Sequence, residues 1–455
     1  MIGPAVDSCL VRRGRPHPAR TVSLAFAVAI AAGTGLLMLP VFRSGPGSAP
    51  FMTALFTATS AITTSGMTIV DTATYWSDIG HVLLAALTQL GGFGITTLAT
   101  LLGLIVSRRL GLRGRMMAGA EATTGLAHGD VRRVLVLAAA VMLVSETVIA
   151  TVVTLRLWLA YDVPFGSAAW EGVFDAVQAF NNSGFSLRSD GLLGFVGDWW
   201  ICVPLTLGVI VGGIGVPVLY EIVRELRRPA AWSTHTRLTV WGTLVLLVVG
   251  FVAVLALEWG NDATLGPLDV GAKILAAFVH GTIPRSGGFN TVDFGAMSAD
   301  TTAIVTVLMF VGGGSASTAG GIKVTTFFLL AYVIWTEVRG EQDVVIGRRR
   351  IAETTQRQAT TIALLGVATV ALGTLLLLGL TRGVPFDRAL FEVMAAFSTA
   401  GLGTGLTAEL PDPGRLVLIA MMFVGRVGTV AVASALALNT RPRLYRYPEE
   451  RPLVG

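Results

Sequence analysis

One pattern recurs four times along the chain and limits what it can fold into. It reads "FTATSAITTSGM" at 56–67, "FDAVQAFNNSGF" at 174–185, "FVHGTIPRSGGF" at 278–289 and "FEVMAAFSTAGL" at 391–402. A phenylalanine stands ten positions before a glycine in each copy: Phe56/Gly66, Phe174/Gly184, Phe278/Gly288 and Phe391/Gly401. The residue before the glycine is small (Ser65, Ser183, Gly287, Ala400), and the one after it is large and apolar (Met67, Phe185, Phe289, Leu402). Self-similarity at intervals of about 100–120 residues marks an internal repeat of whole structural units. A second glycine series follows each copy: "GGFG" from Gly91, "GGIG" from Gly212, "GGGS" from Gly312 and "GRVG" from Gly425.

The repeats sit among apolar runs. Hydrophobic residues make up 53% of the 455 and charged ones 13%, against about 25% charged in soluble domains. The chain therefore reads as a polytopic membrane protein. Eight runs are near bilayer length: 21–41, 80–106, 134–159, 201–223, 238–257, 303–335, 362–380 and 416–438. A helix of roughly 20 residues crosses the hydrocarbon core. The first run is too long for the apolar part of a signal peptide and reads as the first span. Arginines crowd every second connection and both tails, so those face the cytoplasm. The intervening connections face outward, and each carries a semi-apolar stretch too short to span: 50–62, 168–180, 270–281 and 386–397. These read as re-entrant half-helices.

The expected fold is all-α: four parallel repeats of outer helix, re-entrant helix with loop, and inner helix, giving eight spans around a pseudo-fourfold central pore. The expected division is a cytoplasmic tail 1–20, unit one at 21–107, a linker 108–133, unit two at 134–226 and a linker 227–237. Unit three follows at 238–338, then a linker 339–357, unit four at 358–438 and a cytoplasmic tail 439–455. Each unit makes an even number of crossings, so the repeats are parallel, which argues against an inverted-repeat arrangement.

Non-helical backbone at membrane depth survives where it is buried in protein or lines an aqueous path. Four such loops around one axis line a pore. Glycine permits backbone angles closed to other residues, so carbonyls can turn inward and replace a cation's hydration shell. The half-helices would point their partially negative C-terminal ends at the centre, which also favours a cation. Asn182, Ser183 and Gly184 supply one wall, and the asparagines are expected to brace it by hydrogen bonds. The alternative, close helix packing through small residues, suits the second glycine series better.

The loops "TATSAITTSGMTIVDT", "AFNNSGFSL", "PRSGGFNTVD" and "FEVMAAFSTAGL", with "GGSASTAGGIKVTTF" and "FVGRVG", resemble the Trk/Ktr/HKT potassium transporter superfamily over nearly the whole chain. With eight spans, the likeness is to its KtrB-type membrane subunits. The resemblance implies potassium uptake through a selectivity filter at Thr64, Ser65 and Gly66; Asn182, Ser183 and Gly184; Ser286, Gly287 and Gly288; and Thr399, Ala400 and Gly401. Glycine at all four key positions goes with potassium preference in the family. Gly287 stands where alanine is usual, which is expected to loosen the third loop, and few hydroxyls line the loops, so selectivity is expected to be moderate. A sodium-permeable or poorly selective transporter on the same fold is the alternative.

The resemblance also makes the tract 312–323 a mobile gating loop, with Gly312, Gly313, Gly314, Ser315, Ser317, Thr318, Gly320, Gly321 and Lys323 in it, and Arg426 beside it. A charge at mid-bilayer costs roughly 2.5–3.5 kcal/mol, so Arg426 either acts on ions or bridges to a loop carbonyl. The implied assembly is a homodimer in the cell membrane on a cytoplasmic ring of nucleotide-binding KtrA-like (RCK) subunits, met through 107–133, 338–357 and 439–455. Potassium is the transported ion and sodium a candidate activator; no cofactor is expected in this chain.

Other readings fail on the residues. The tract 312–323 lacks the glycine that precedes lysine in a nucleotide loop. Two cysteines, Cys9 and Cys202, and five scattered histidines build no metal site, and His280 is expected to pack or hydrogen-bond. The basic excess follows topology and implies no nucleic acid. An enzyme would need a nucleophile and base at matched depth, which the His and Asp positions do not offer. Asp71, Asp78, Asp190, Asp198, Asp293 and Asp300 stand near the outer mouth, where carboxylates concentrate cations; ordinary solvated roles are expected for most of them.

Overall fold

The computed structural model of the chain describes residues 18–109, 131–347, 349–428 and 432. The tail 439–455, nearly all of the tail 1–20 and most of the linker 108–133 lie outside the described residues. The first unit comprises α1 (Pro18–Leu37), α2 (Phe51–Ile62) and α3 (Asp78–Arg109). The second comprises α4 (Val131–Ala160), α5 (Phe165–Phe180) and a broken pair, α6 (Trp199–Ile214) and α7 (Val216–Arg224). The third has α8 (Thr234–Glu258), α9 (Val270–Thr282) and a second broken pair, α10 (Ala299–Phe310) and α11 (Val324–Val338). The fourth has α12 (Glu353–Leu380), α13 (Phe386–Ser398) and α14 (Asp412–Phe423), which continues as a π-helical turn, Val424–Gly428. A two-residue hairpin, β1 (Val345–Ile346) against β2 (Arg349–Arg350), lies between the third and fourth units, with Val345 opposite Arg350.

Local chemistry starts these helices. Pro50, Pro164 and Pro385 stand immediately before α2, α5 and α13, where a missing N–H costs nothing and φ is preset. Asp269 starts α9 by accepting from the N–H groups of Gly271 and Ala272. Asp198, Ser233 and Ser298 cap α6, α8 and α10 in the same way. Apolar composition then selects the helices that suit a bilayer. Val136–Ala160, Thr234–Glu258 and Glu353–Leu380 are long and apolar enough to cross, and α6 with α7 qualifies as a pair bent by 98°.

That bend divides the run 201–223, expected as one continuous helix, into two. Pro217 has no N–H to return to the Gly213 carbonyl, which instead accepts from Gly314 N at 2.8 Å. Gly215 turns the chain at φ 96°, and a Cβ there would meet the Ser315 carbonyl oxygen at 2.7 Å. The helix breaks because another segment occupies its path.

The units pack in a cycle. Each long first helix lies on its own short helix: α1 on α2, α4 on α5, α8 on α9 and α12 on α13. The third helix of each unit then packs on the next unit's short helix: α3 on α5, α6 on α9, α10 on α13, and α14 back on α2. Phe56, Phe174 and Phe391 are fully buried between these layers, as are Met67, Phe185, Phe289 and Leu402; Phe278 is half-buried.

The second glycine series makes the cycle close. A Cβ on Gly91 would lie 2.1 Å from the Ile62 carbonyl oxygen, one on Gly212 1.9 Å from that of Phe180, and one on Gly425 1.8 Å from that of Phe397. Those carbonyls share one repeat position, four residues before Gly66, Gly184 and Gly401. Overpacking of this kind costs about 1–3 kcal/mol. Gly425→Ala should therefore lower the thermal unfolding midpoint of the purified protein; an unchanged midpoint contradicts the contact.

Candidate functional site

After each short helix the backbone makes the same excursion. Thr64 (φ 51°), Asn182 (57°), Ser286 (79°) and Thr399 (49°) are left-handed, and so are Gly66 (76°), Gly184 (89°), Gly288 (69°) and Gly401 (74°) two residues later. A left-handed non-glycine residue costs roughly 1–2 kcal/mol. Four of them at one repeat position persist only where the surroundings over-determine them.

The four glycines converge. A Cβ on Gly66 would lie 1.7 Å from the Ser183 carbonyl oxygen, and one on Gly288 2.1 Å from the same atom. A Cβ on Gly401 would lie 2.3 Å from the Ser65 carbonyl oxygen, and one on Gly184 2.2 Å from the Gly288 Cα. Backbone, with carbonyl oxygens among it, faces backbone across the centre. Thr64, Ser65, Asn182, Ser183, Ser286, Thr399 and Ala400 are all fully buried. Gly287 leaves no void, because Ile283 and Val209 sit 3.1 Å from where its Cβ would be; the neighbours have closed over the missing methyl.

Side chains tie the loops together. Asn182 Nδ2 donates to the Ser286 carbonyl at 2.5 Å and the Val209 carbonyl at 3.2 Å. Ser286 Oγ donates to the Thr399 carbonyl at 2.8 Å. Asn181 Nδ2 donates to Gln89 Oε1 at 2.6 Å, and Gln89 Nε2 donates to both Glu146 oxygens at 2.9 and 3.0 Å. The segments leaving the loops are held from behind. Arg188 pairs with Asp175 at 3.3 Å and with Glu171 at 2.5 Å. His280 Nε2 accepts from the N–H groups of Thr291 and Val292 at 3.2 and 3.1 Å. Glu392 accepts from Thr404 and Thr407.

Above the glycines opens a cavity of about 470 Å3, with Gly66, Gly184, Gly288 and Gly401 in its lining. Of the six outer aspartates, Asp71 and Asp293 line it. Asp198 instead binds Arg156 Nε at 2.8 Å and the Tyr161 hydroxyl at 2.9 Å. Burial pushes the Asp71 carboxyl up, but the Ser189 hydroxyl at 2.6 Å, the Thr74 hydroxyl at 2.8 Å and the Ala73 N–H outweigh it and hold it below the usual carboxylate range. A carboxylate held low keeps its charge as pH falls and loses it only through its folded-state pKa. Ser189→Ala should therefore move any acid-side loss of ion uptake to higher external pH; superimposable pH profiles would exclude Asp71 from that loss.

Below the glycines runs the segment between α10 and α11. Gly312 N donates to the Ile322 carbonyl at 2.9 Å, Gly314 N to Gly213 and Thr318 N to the Gly212 carbonyl at 3.2 Å. Thr318 is the junction. Its hydroxyl lies 2.7 Å from Asn182 Oδ1 and 3.1 Å from the Phe180 carbonyl, and its own carbonyl accepts from the Thr64 hydroxyl and from Arg426. A Cβ on Gly320 would lie 2.3 Å from Thr399 Oγ1, so this segment touches the first, second and fourth loops. Lys323 Nζ donates to the Ala319 carbonyl at 2.7 Å, and Ser315 Oγ meets Thr325 Oγ1 at 3.2 Å. Ser317 is buried, Gly313 abuts the Gly213 carbonyl, and Gly321 turns at φ 67°.

Sequence reasoning missed three members of this site. Arg285 is buried and donates to the Gly312 carbonyl at 3.2 Å and to Thr243. Glu146 and Gln89 back the second loop. For Glu146 the signal was present: it is a charge inside the apolar run 134–159, the feature that singled out Arg426.

Apolar helices that gather four glycine-centred loops beneath an outer cavity and above a broken helix define a membrane protein of the transport class. The family model described as cation transport protein, TrkH, matches residues 16–441, and the chain belongs to the TrkH family. The Ktr system potassium uptake protein B of Bacillus subtilis (strain 168) is 36% identical over 441 residues, covering 96% of this chain and 97% of the relative. The protein of the same name from Vibrio alginolyticus is 36% identical over 437 residues, covering 96% and 94%. The potassium/sodium uptake protein NtpJ of Enterococcus hirae is 30% identical over 453 residues, covering 97% and 98%. The crystal structure of the potassium transporter TrkH from Vibrio parahaemolyticus superimposes with a TM-score of 0.70 at 18% identity, covering 95% of this chain and 86% of that one; this is a likeness of fold.

Proposed function

We propose that the chain takes up potassium across the cell membrane as the channel-like translocating subunit of a Ktr/Trk-type system. The observation that carries this is the convergence of four loop glycines at one left-handed repeat position, with backbone carbonyls between them. In this reading the eight apolar runs span the bilayer, both termini are cytoplasmic, and the four units surround one pore. A cation gathers in the outer cavity near Asp71, sheds water, and passes a filter formed by residues 64–66, 182–184, 286–288 and 399–401. Carbonyl oxygens replace the lost hydration shell. The segment 312–323 closes the path underneath, and Arg426 both holds it and repels the ion. The chain binds and conducts without a chemical step.

The assembly proposed is a homodimer seated on a cytoplasmic ring of KtrA-like subunits, and the Ktr names of the relatives support a system of more than one component. Sodium permeation is the second reading, favoured by the name of the Enterococcus relative. The test is potassium-limited growth and rubidium uptake in cells lacking their own potassium uptake systems. Rescue with saturable rubidium uptake supports the proposal. A chain that reaches the membrane, with and without a co-expressed ring subunit, yet carries only sodium overturns it.

A further inference from the structure

The fourth loop is backed by a carboxylate that no cation among the described residues answers. Glu392 lies on α13, nine positions before Gly401, and is fully buried. Its Oε1 accepts from Thr404 N at 2.8 Å and Thr404 Oγ1 at 3.0 Å, and its Oε2 from Thr407 Oγ1 at 2.5 Å. The amide can only donate, and both hydroxyls are free to do so. Burial opposes the charged form of a carboxylate, and donors converging on it favour that form. Among the described residues no Lys, Arg or His nitrogen bonds to it.

The other units show what is unusual here. Asp175 occupies the equivalent position of the second unit, and Arg188 answers it at 3.3 Å. The first and third units have Thr57 and Val279 there. Little stands between Glu392 and the outer cavity. Gly401, Leu402, Gly403 and Thr407 line that cavity, and a Cβ on Gly403 would sit 3.7 and 3.8 Å from the two carboxylate oxygens. With no side chain at 403, backbone alone screens the charge, in surroundings of low dielectric where Coulomb forces reach furthest.

We infer that Glu392 sets the cation affinity of the pore mouth: the ion that enters there is the counter-charge of its carboxylate. This rests on the reading of the four loops as a cation path. Glu392 touches no ion and acts through its field, across the chain at 401–407. A purely mechanical strut would instead act on loop geometry, and the two roles separate in kinetics.

The experiment measures rubidium and sodium uptake against external concentration for wild type, E392Q and E392D, with the amount of each in the membrane quantified. E392Q removes the charge and keeps the shape; its KM should rise about tenfold with Vmax within about twofold of wild type. E392D keeps the charge and shortens the reach to Thr407, so KM should hold while Vmax falls. An unchanged KM in E392Q, or an equal rise in E392D, overturns the inference. Should E392Q not reach the membrane, E392D decides alone: a held KM supports the field role and a raised KM refutes it. If wild type carries sodium and no rubidium, the potassium reading fails, and the same comparison is read on sodium.

Discussion

Replacing Arg426 with alanine should raise cation flux at least about tenfold in the absence of any regulatory partner. Arg426 is buried and donates to the Thr318 carbonyl. Through its hydroxyl Thr318 binds Asn182 and the Phe180 carbonyl, so the arginine clamps the segment 312–323 against the loops above it. A hydrogen bond to a charged group contributes about 1.5–3 kcal/mol, and 1.4 kcal/mol is tenfold in an equilibrium. In the proposed gate, its loss shifts the segment 312–323 toward release. Removing the positive charge also lowers the barrier to a passing cation. Arg426→Lys separates the two effects, because lysine keeps the charge and loses the planar fork. A tight lysine variant means that repulsion dominates; a leaky one means that the clamp does. Unchanged rubidium flux in the alanine variant, with regulation also unchanged, would remove Arg426 from the gate.

Gly66→Ser should reduce potassium uptake at least about 100-fold or abolish the preference for potassium over sodium. Two costs meet at this position. The left-handed backbone at φ 76° disfavours any L side chain, by roughly 1–2 kcal/mol. The Cβ would also lie 1.7 Å from the Ser183 carbonyl oxygen, so that carbonyl must move, and a displaced carbonyl no longer matches the spacing a dehydrated ion needs. Gly383→Ala isolates the first cost. Gly383 has the same left-handed backbone, φ 82°, with nothing within 4 Å of a built Cβ. Rubidium uptake should survive Gly383→Ala and fail in Gly66→Ser; equal uptake in the two would show that the contact with Ser183 is immaterial.

The loops were legible because their requirements are local. Left-handed backbone recurs at Gly66, Gly184, Gly288 and Gly401, the positions the alignment of the four copies picks out, since only glycine takes that conformation cheaply. The packing role of Gly91, Gly212 and Gly425 was legible for a related reason: small residues in an apolar helix permit close approach. His280 is expected to pack or hydrogen-bond, and it does both: its ring lies 4.9 Å from that of Phe294, and its Nε2 accepts from Thr291 and Val292. The bend at Gly215 was missed although "GGIGVP" contains Pro217. A proline frees the Gly213 carbonyl, but whether the helix kinks or folds back depends on what takes that carbonyl. Here it is Gly314, about 100 residues away in the chain.

The sequence alone determined the apolar runs, the arginine-rich connections, the four-copy register and the glycine positions. Each follows from a period or a backbone preference expressed within one segment. The tertiary structure decided which carbonyl each glycine faces, that Thr318 joins two of the loops to Arg426, that Arg285 and Glu146 belong to the site, and that among the described residues Glu392 bonds to no cation while Asp175 pairs with one. Those facts join segments as far apart as Thr64 and Thr318, 254 residues along the chain. A carbonyl or a charge is satisfied by whichever group the fold brings beside it, and neither the apolar period nor the turn chemistry of either segment specifies that neighbour.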